Sequence, residues 1–229
     1  MNKLNNFPDK LPESIISRAQ KLNSSLISDA MGGENTMDYK IKPVGGNMDF
    51  VGTALTISTV PGDNLFIHHS IYNSDEGYVL VVDGKSHTKN AYLGELLAAA
   101  AKAAGLEAIV IDGLVRDKSD LQKIGFPIYA RGFIPSGPTK NGPGEKNLKI
   151  ICGGAVVNPG DLVIGDQDGV AVVPRNQIDQ VLAGAEKKQK YEKQRLRDIS
   201  LFSQNKTNRC TSKDLEPDWL EEKMAQFKE

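Results

Sequence analysis

Arg116 and Asp117 stand side by side at the end of "AIVIDGLVRD" (108–117). The stretch opens on apolar residues suited to a buried strand, then reaches a glycine-containing turn. A guanidinium can hold a carboxylic acid, and an aspartate can bind a hard divalent ion that prefers oxygen and retains waters. Glu95 precedes the pair, separated from it by twenty residues, in Gly94-Glu95-Leu96-Leu97. That tetrapeptide lies at the start of "YLGELLAAAAKAAG" (92–105), the strongest helical stretch in the chain, closed by Gly105. A helix start presents unpaired N–H groups and partial positive charge, so it can receive a carboxylate or phosphate. Glycine at 94 lets the backbone approach a ligand. Glu95 can hold a water on a cation bound to Asp117.

The surrounding elements must bring these residues together. "GYVLVVDG" (77–84) and "LEAIVIDG" (106–113) read as buried strands, with the alanine-rich helix between them. "SDLQKIG" reads as a short helix with Ser119 a possible cap and Gly125 the stop, and "FPIYARG" as another short strand. Segment 77–131 is therefore strand–helix–strand–helix–strand, which implies parallel pairing through right-handed crossovers. The helix runs back against the strands, so its start lies at the edge where they end. Ligands of parallel α/β sheets bind there. Asp83 stands past the earlier strand. Taken alone, an Arg–Asp pair on a loop is more often a solvated surface feature, and Glu95 more often a dipole-matching acid. The combination is what argues for a site.

Elsewhere, 13–31 reads as one or two helical pieces and "FVGTALTISTV" (50–60) as a strand. "PGDNLFIHHSI" follows as a short helix with Asp63 as N-cap. "IPSGPTKNGPGEKN" (134–147) holds three of the eleven prolines and reads as a loop. Residues 149–174 read as short antiparallel strands turned by "NPGD" and "DQDG". From Asn176 the chain is helical and charged, and "PDWLEEKMAQFK" is a last short helix. The expected division is a domain over 1–175 and a helical extension over 176–229.

Composition limits the function. Lys and Arg total 28 against 29 Asp and Glu, a net charge of −1, which supplies no footprint for nucleic acid or an anionic membrane. No apolar stretch is long enough to span a bilayer, and the N-terminus lacks a signal-peptide core. Cys152 and Cys210 read as free thiols in a reducing compartment, so the expected location is cytoplasmic. His68 and His69 fall in a helix and His87 near the strand-end face, and the bland structural or solvated reading outweighs a functional one for each. Lys102 and Lys118 carry no signal for Schiff-base chemistry.

The acid, the twenty-residue spacing and the Arg-Asp pair resemble the signature of the RraA-like superfamily. "SLISDAMGG", "GTALTI", "PGDNLFIHHSI", "VLVVDG", "FPIYARG" and "VNPGDLVIGDQDGVAVVP" resemble family segments in family order, over roughly 20–190. That superfamily contains class II 4-hydroxy-4-methyl-2-oxoglutarate / 4-carboxy-4-hydroxy-2-oxoadipate aldolases and the RraA regulators of ribonuclease E. The resemblance implies an α/β fold, a β-β-α sandwich of the swivelling-domain type with mixed sheets and flanking helices, assembled as trimers or hexamers. It implies that the backbone of Gly94, Glu95, Leu96 and Leu97 holds pyruvate, that Arg116 contacts the pyruvate oxygens, and that Asp117 binds Mg²⁺ or Mn²⁺. The family acid at position 95 is often Asp; Glu95 adds a methylene to the group that orients a metal-bound water.

The expected activity is retro-aldol cleavage of a small 4-hydroxy-2-oxo acid to pyruvate, with oxaloacetate decarboxylation as a side activity. The alternative is a protein-binding regulator of the ribonuclease E type. The 55 residues beyond Pro174 favour the aldolase branch, because the regulators end soon after the corresponding strand. The apolar face of the extension and Trp219–Leu220 are expected to pack on another subunit.

Overall fold

The computed structural model describes residues 3–46, 48–204 and 211–227. Cys210 lies outside them. The chain forms two compact units, Met1–Ala185 and Glu186–Glu229.

The first unit opens with β1 (Lys3–Leu4), α1 (Glu13–Ala19), α2 (Ser24–Ala30) and β2 (Lys42–Pro43). Then come β3 (Phe50–Thr59), α3 (Leu65–Tyr72), β4 (Tyr78–Ala91), α4 (Glu95–Ala103), β5 (Ala108–Val115), α5 (Lys118–Ile124) and β6 (Ile128–Ala130). β7 (Gly132–Phe133), β8 (Gly144–Lys146), β9 (Ile150–Cys152), β10 (Ala155–Val157), β11 (Leu162–Asp166) and β12 (Gly169–Val173) complete the strands. α6 (Ile178–Gln204) begins in this unit, and α7 (Asp218–Ala225) lies in the second.

β3, β4, β5 and β6 pair in parallel, as the βαβ pattern requires. β8 and β11 both pair antiparallel with β3, making the sheet mixed. The central strands are mainly apolar where both faces are buried, over Tyr78–Val82 of β4 and Ala108–Ile111 of β5. Leu55, Ile57, Leu80, Val82, Ile109 and Ile111 face a layer holding Phe66, Ile67 and Ile71 of α3, Leu97, Ala98 and Ala101 of α4, and Leu121 of α5. The alternate residues Ala54, Val79, Val81, Ala108 and Val110 pack on β9, β10, β11 and β12. The outer side of β11 and β12, with Leu162, Ile164, Ala171 and Val173, meets α1, α2 and the first turns of α6, through Ala185. Period-two alternation thus builds stacked layers from one chain. The architecture is the expected β-β-α sandwich with flanking helices and a C-terminal helix.

Local differences from the sequence reading cluster near the strand ends. β4 runs on to Ala91, with register shifts between Val82 and His87 and again before Ala91. Tyr92 remains tied to the sheet, its N–H donating to Leu114 O, so α4 starts only at Glu95. The proline-rich stretch ends in β8. Ser119 is not the cap of α5; that position is Asp117, in the left-handed region at φ 59°. No helix among the described residues is long and apolar enough to cross a membrane.

Candidate functional site

The carboxyl end of β5 and the start of α4 form one corner. β5 ends at Val115, and the N–H of Arg116 donates to Leu93 O at 3.0 Å. This bond seats Arg116 directly beside the residue before Gly94. Asp117 follows with positive φ, a conformation uncommon for a non-glycine residue. Its carboxylate turns back to α4, where Oδ2 accepts the Glu95 N–H at 3.0 Å. Arg116 Nε lies 3.7 Å from the same oxygen. The corner is open: the Arg116 and Asp117 side chains are 45% and 39% exposed.

Gly94 is required for this arrangement. A Cβ there would lie 2.1 Å from Asp117 Oδ2 and 2.9 Å from Arg116 Cγ. The sequence reading gave this glycine to a ligand's approach; in the folded chain it first admits the Asp117 carboxylate. Leu96 and Leu97 follow in the first turn, where amides lack intrahelical acceptors. Leu97 is buried in the core, whereas Leu96 is 86% exposed. Glu95 is exposed at the mouth of the corner. The structure therefore brings together all the residues expected at the site, Gly94 to Leu97 with Arg116 and Asp117.

Other groups join from elements that the motif does not include. A Cβ on Gly137 would lie 3.0 Å from Arg116 Nη1, so the 134–147 stretch walls the guanidinium. Asn90 Nδ2 donates to Gly137 O at 2.6 Å, and Asn90 Oδ1 lies 3.0 Å from His87 Nε2. The Asn90 amide is oriented by the Gly137 carbonyl, so His87 Nε2 must carry the hydrogen. Asn64 is buried; its Nδ2 donates to Tyr92 O at 2.8 Å, while its Oδ1 has no hydrogen-bond partner among the described residues. Tyr92 is fully buried, its hydroxyl accepting the Gly62 N–H and donating to Gly84 O, and burial pushes its pKa up to about 12. It is a strut, not an acid–base group. Sequence reasoning missed Asn64, Asn90 and Gly137; "PGDN" before a helix was legible only as a cap.

A second polar cluster braces the strand ends. Asp112 is buried and accepts from Ser86 Oγ and Gly153 N, each at 3.0 Å, and from Arg131 Nε. Arg131 Nη1 also donates to Asp38 Oδ2 at 2.8 Å. This network ties the β9–β10 turn and the segment before β2 to β5. Cys152 is fully buried there, and burial drives its thiol pKa well up, so it is inert as a nucleophile. His68 stacks on Tyr72 and is held below its ordinary pKa by burial and by Lys140. Lys102 caps α5 through Ile124 O, and Lys118 lies over the Phe133 ring.

Among the described residues no group of three or more His, Cys, Asp or Glu is placed to hold a metal. A closed protein cage is thereby absent from those residues. Asp117 instead offers Oδ1, which takes no hydrogen bond among the described residues, with the Glu95 carboxylate on the adjacent helix turn. One or two carboxylates completed by waters and substrate oxygens suit Mg²⁺ or Mn²⁺.

Comparison with known proteins agrees with this architecture. The RraA-like family model, described as Aldolase/RraA, matches residues 24–172. A protein of Halalkalibacterium halodurans named "Putative 4-hydroxy-4-methyl-2-oxoglutarate aldolase" is 37% identical over 185 residues, covering 81% of this chain and 88% of that one. The structure of the RNA-processing inhibitor RraA from Thermus thermophilus superposes with a TM-score of 0.62 at 29% identity, covering 66% of this chain and 92% of that one. An uncharacterized protein from Pseudomonas syringae shares the fold with a TM-score of 0.76 at 22% identity, over 84% of this chain and 95% of that one. The layered sheet, the ordered segments and the match over most of its length show that this chain belongs to the RraA-like, Aldolase/RraA family.

Proposed function

We propose that this protein is a divalent-metal-dependent aldolase that cleaves a 4-hydroxy-2-oxo acid and releases pyruvate. The observation that carries the reading is the convergence of Arg116, Asp117 and the first turn of α4 at one strand-end corner. Asp117 would hold Mg²⁺ or Mn²⁺, with Glu95 reaching a water on the ion. The ion would supply Lewis-acid polarisation of the substrate's 2-keto group.

The chain's own residues do the rest. Arg116 pairs with the 2-oxo acid's oxygens and stabilises negative charge as pyruvate enolate develops. The first-turn amides of α4 receive the carboxylate, and the absence of a side chain at 94 leaves the approach clear. Oxaloacetate decarboxylation passes through the same enolate, so we assign it as a side activity. The open corner and the exposed Leu96 support assembly with further copies of the chain, as a trimer or hexamer. We place the protein in the cytoplasm.

A pyruvate-release assay with Mg²⁺ and Mn²⁺, on oxaloacetate and on 4-hydroxy-2-oxo acids, tests the reading. The expected result is turnover that chelation abolishes and that Asp117→Asn lowers by at least about 100-fold, the scale of losing one charge-stabilising contact. Equal activity in Asp117→Asn would overturn the metal assignment. The likeness to the Thermus inhibitor supports a second reading as a protein-binding regulator. No turnover on any acid, with inhibition of an RNA-processing enzyme, would select it.

A further inference from the structure

One buried carboxylate fixes the segment that walls Arg116. Asp63 has no exposed surface. Its Oδ1 accepts the Leu65 N–H at 2.9 Å, at the start of α3. Its Oδ2 accepts the Thr139 hydroxyl at 2.8 Å and the Asn141 N–H at 2.6 Å. The backbone of Thr139 adds two bonds, donating to Gly62 O at 2.9 Å and accepting from Asn64 N at 3.0 Å. From the opposite side Asn90 holds Gly137 O, and the Ala91 N–H donates to Ser136 O at 2.8 Å. At the Asn90 anchorage Gly137 packs against the Arg116 guanidinium.

An arginine side chain has many rotamers, and an open corner does little to choose among them. A fixed wall chooses. We propose that Asp63 is a positioning residue, clamping residues 136–141 beside Arg116 and so setting where the guanidinium meets the substrate. This rests on the assignment of Arg116 to the 2-oxo acid. Asp63 itself touches no substrate, because its oxygens are occupied by Leu65, Thr139 and Asn141. A displacement of about 1 Å at a group that orients a reactant can cost about 100-fold in rate.

The Lys140–Asn141 peptide bond gives a direct readout, since its N–H is the one held by Asp63. Asp63→Asn keeps one acceptor and turns the other into a donor, so it cannot receive the Leu65 N–H together with the Thr139 hydroxyl and the Asn141 N–H. Thr139→Val removes one bond with little change of shape, and Thr139→Ser restores it. Trypsin cleavage after Lys140 is expected to quicken about tenfold in Asp63→Asn, less in Thr139→Val, and to stay at the wild-type rate in Thr139→Ser. Phenylglyoxal modification of Arg116, read by mass spectrometry, should quicken in the same order. The kcat of pyruvate release should fall about tenfold or more in Asp63→Asn, with a smaller change in KM, at a temperature where the variant is folded; Thr139→Ser should retain it. A merely structural role would lower the melting temperature and leave kcat and Arg116 reactivity unchanged, which overturns the proposal. If the wild type cleaves no 2-oxo acid, the aldolase reading fails, and phenylglyoxal decides the clamp: unchanged reactivity of Arg116 sinks it.

Discussion

Asp117 serves two structures with one carboxylate. One oxygen closes a helix end by accepting the Glu95 N–H, and in the proposed function the other would face the metal ion. That double use explains why Gly94 has no tolerance for a side chain. Gly94→Ala places a methyl 2.1 Å from Asp117 Oδ2, so Asp117 must move. The expected cost is about 1–3 kcal/mol of stability by overpacking, with loss of most activity, checked by urea unfolding beside a pyruvate assay. Arg116→Lys tests shape against charge at the neighbouring residue. Lysine keeps the charge but loses the planar fork, so kcat should fall with net charge unchanged. Full activity in Arg116→Lys would refute a requirement for guanidinium geometry.

Polar groups at the strand ends join the core in holding the elements together. Arg131 joins Asp112 and Asp38 across β5, the β9–β10 turn and the segment before β2. Arg131→Met leaves Asp112 buried without its cation, and breaking a buried pair this way costs about 3–5 kcal/mol. Equilibrium unfolding in urea measures it. A loss under about 1 kcal/mol would show that Ser86 and Gly153 suffice for Asp112. The helical elements were legible because their signals are local. Ala and Leu between a glycine start and Gly105 specify α4 wherever it packs. Ser119 mimics a cap in the sequence, but the cap position of α5 falls on Asp117, whose side chain is drawn away to α4. β8 looks like loop in the sequence because its pairing with β3 is nonlocal and the prolines and glycines before it mask it.

At the scale of the whole molecule, acid should loosen the fold through particular carboxylates. Hydrogen bonds to Leu65, Asn141 and Thr139 outweigh burial and hold Asp63 below its ordinary pKa. The Lys40 amide and Arg131 do the same for Asp38. A carboxyl whose folded pKa is depressed stabilises the fold above its unfolded value of about 4, and that stability is lost as pH falls through the lower folded value. Urea midpoints should therefore hold steady down to about pH 5 and drop below about pH 4. Asp63→Asn should flatten that drop. Leu96 beside the corner and, in the second unit, Trp219 at 52% exposure are large apolar side chains left open to solvent. Sedimentation equilibrium is expected to give an oligomer; a monomer at micromolar concentration would overturn that expectation.

The sequence by itself determined the strand–helix–strand order, the parallel pairing and the pairing of Glu95 with Arg116-Asp117 in one motif. Periodicity and end signals are written in adjacent residues, and a parallel crossover returns each strand to the same edge. Only the tertiary structure decided which groups surround that motif. Asp63, Asn90 and Gly137 carry residue types common to any turn, and Gly137 is no farther from Arg116 in the chain than Glu95 is. They come into one neighbourhood because β4 continues past its apolar run and the 134–147 segment folds back to the loop before α3. A hydrogen bond needs donor and acceptor within about 3 Å, and sequence distance does not encode that separation. The sequence therefore named the charged corner, and the fold built the wall beside it.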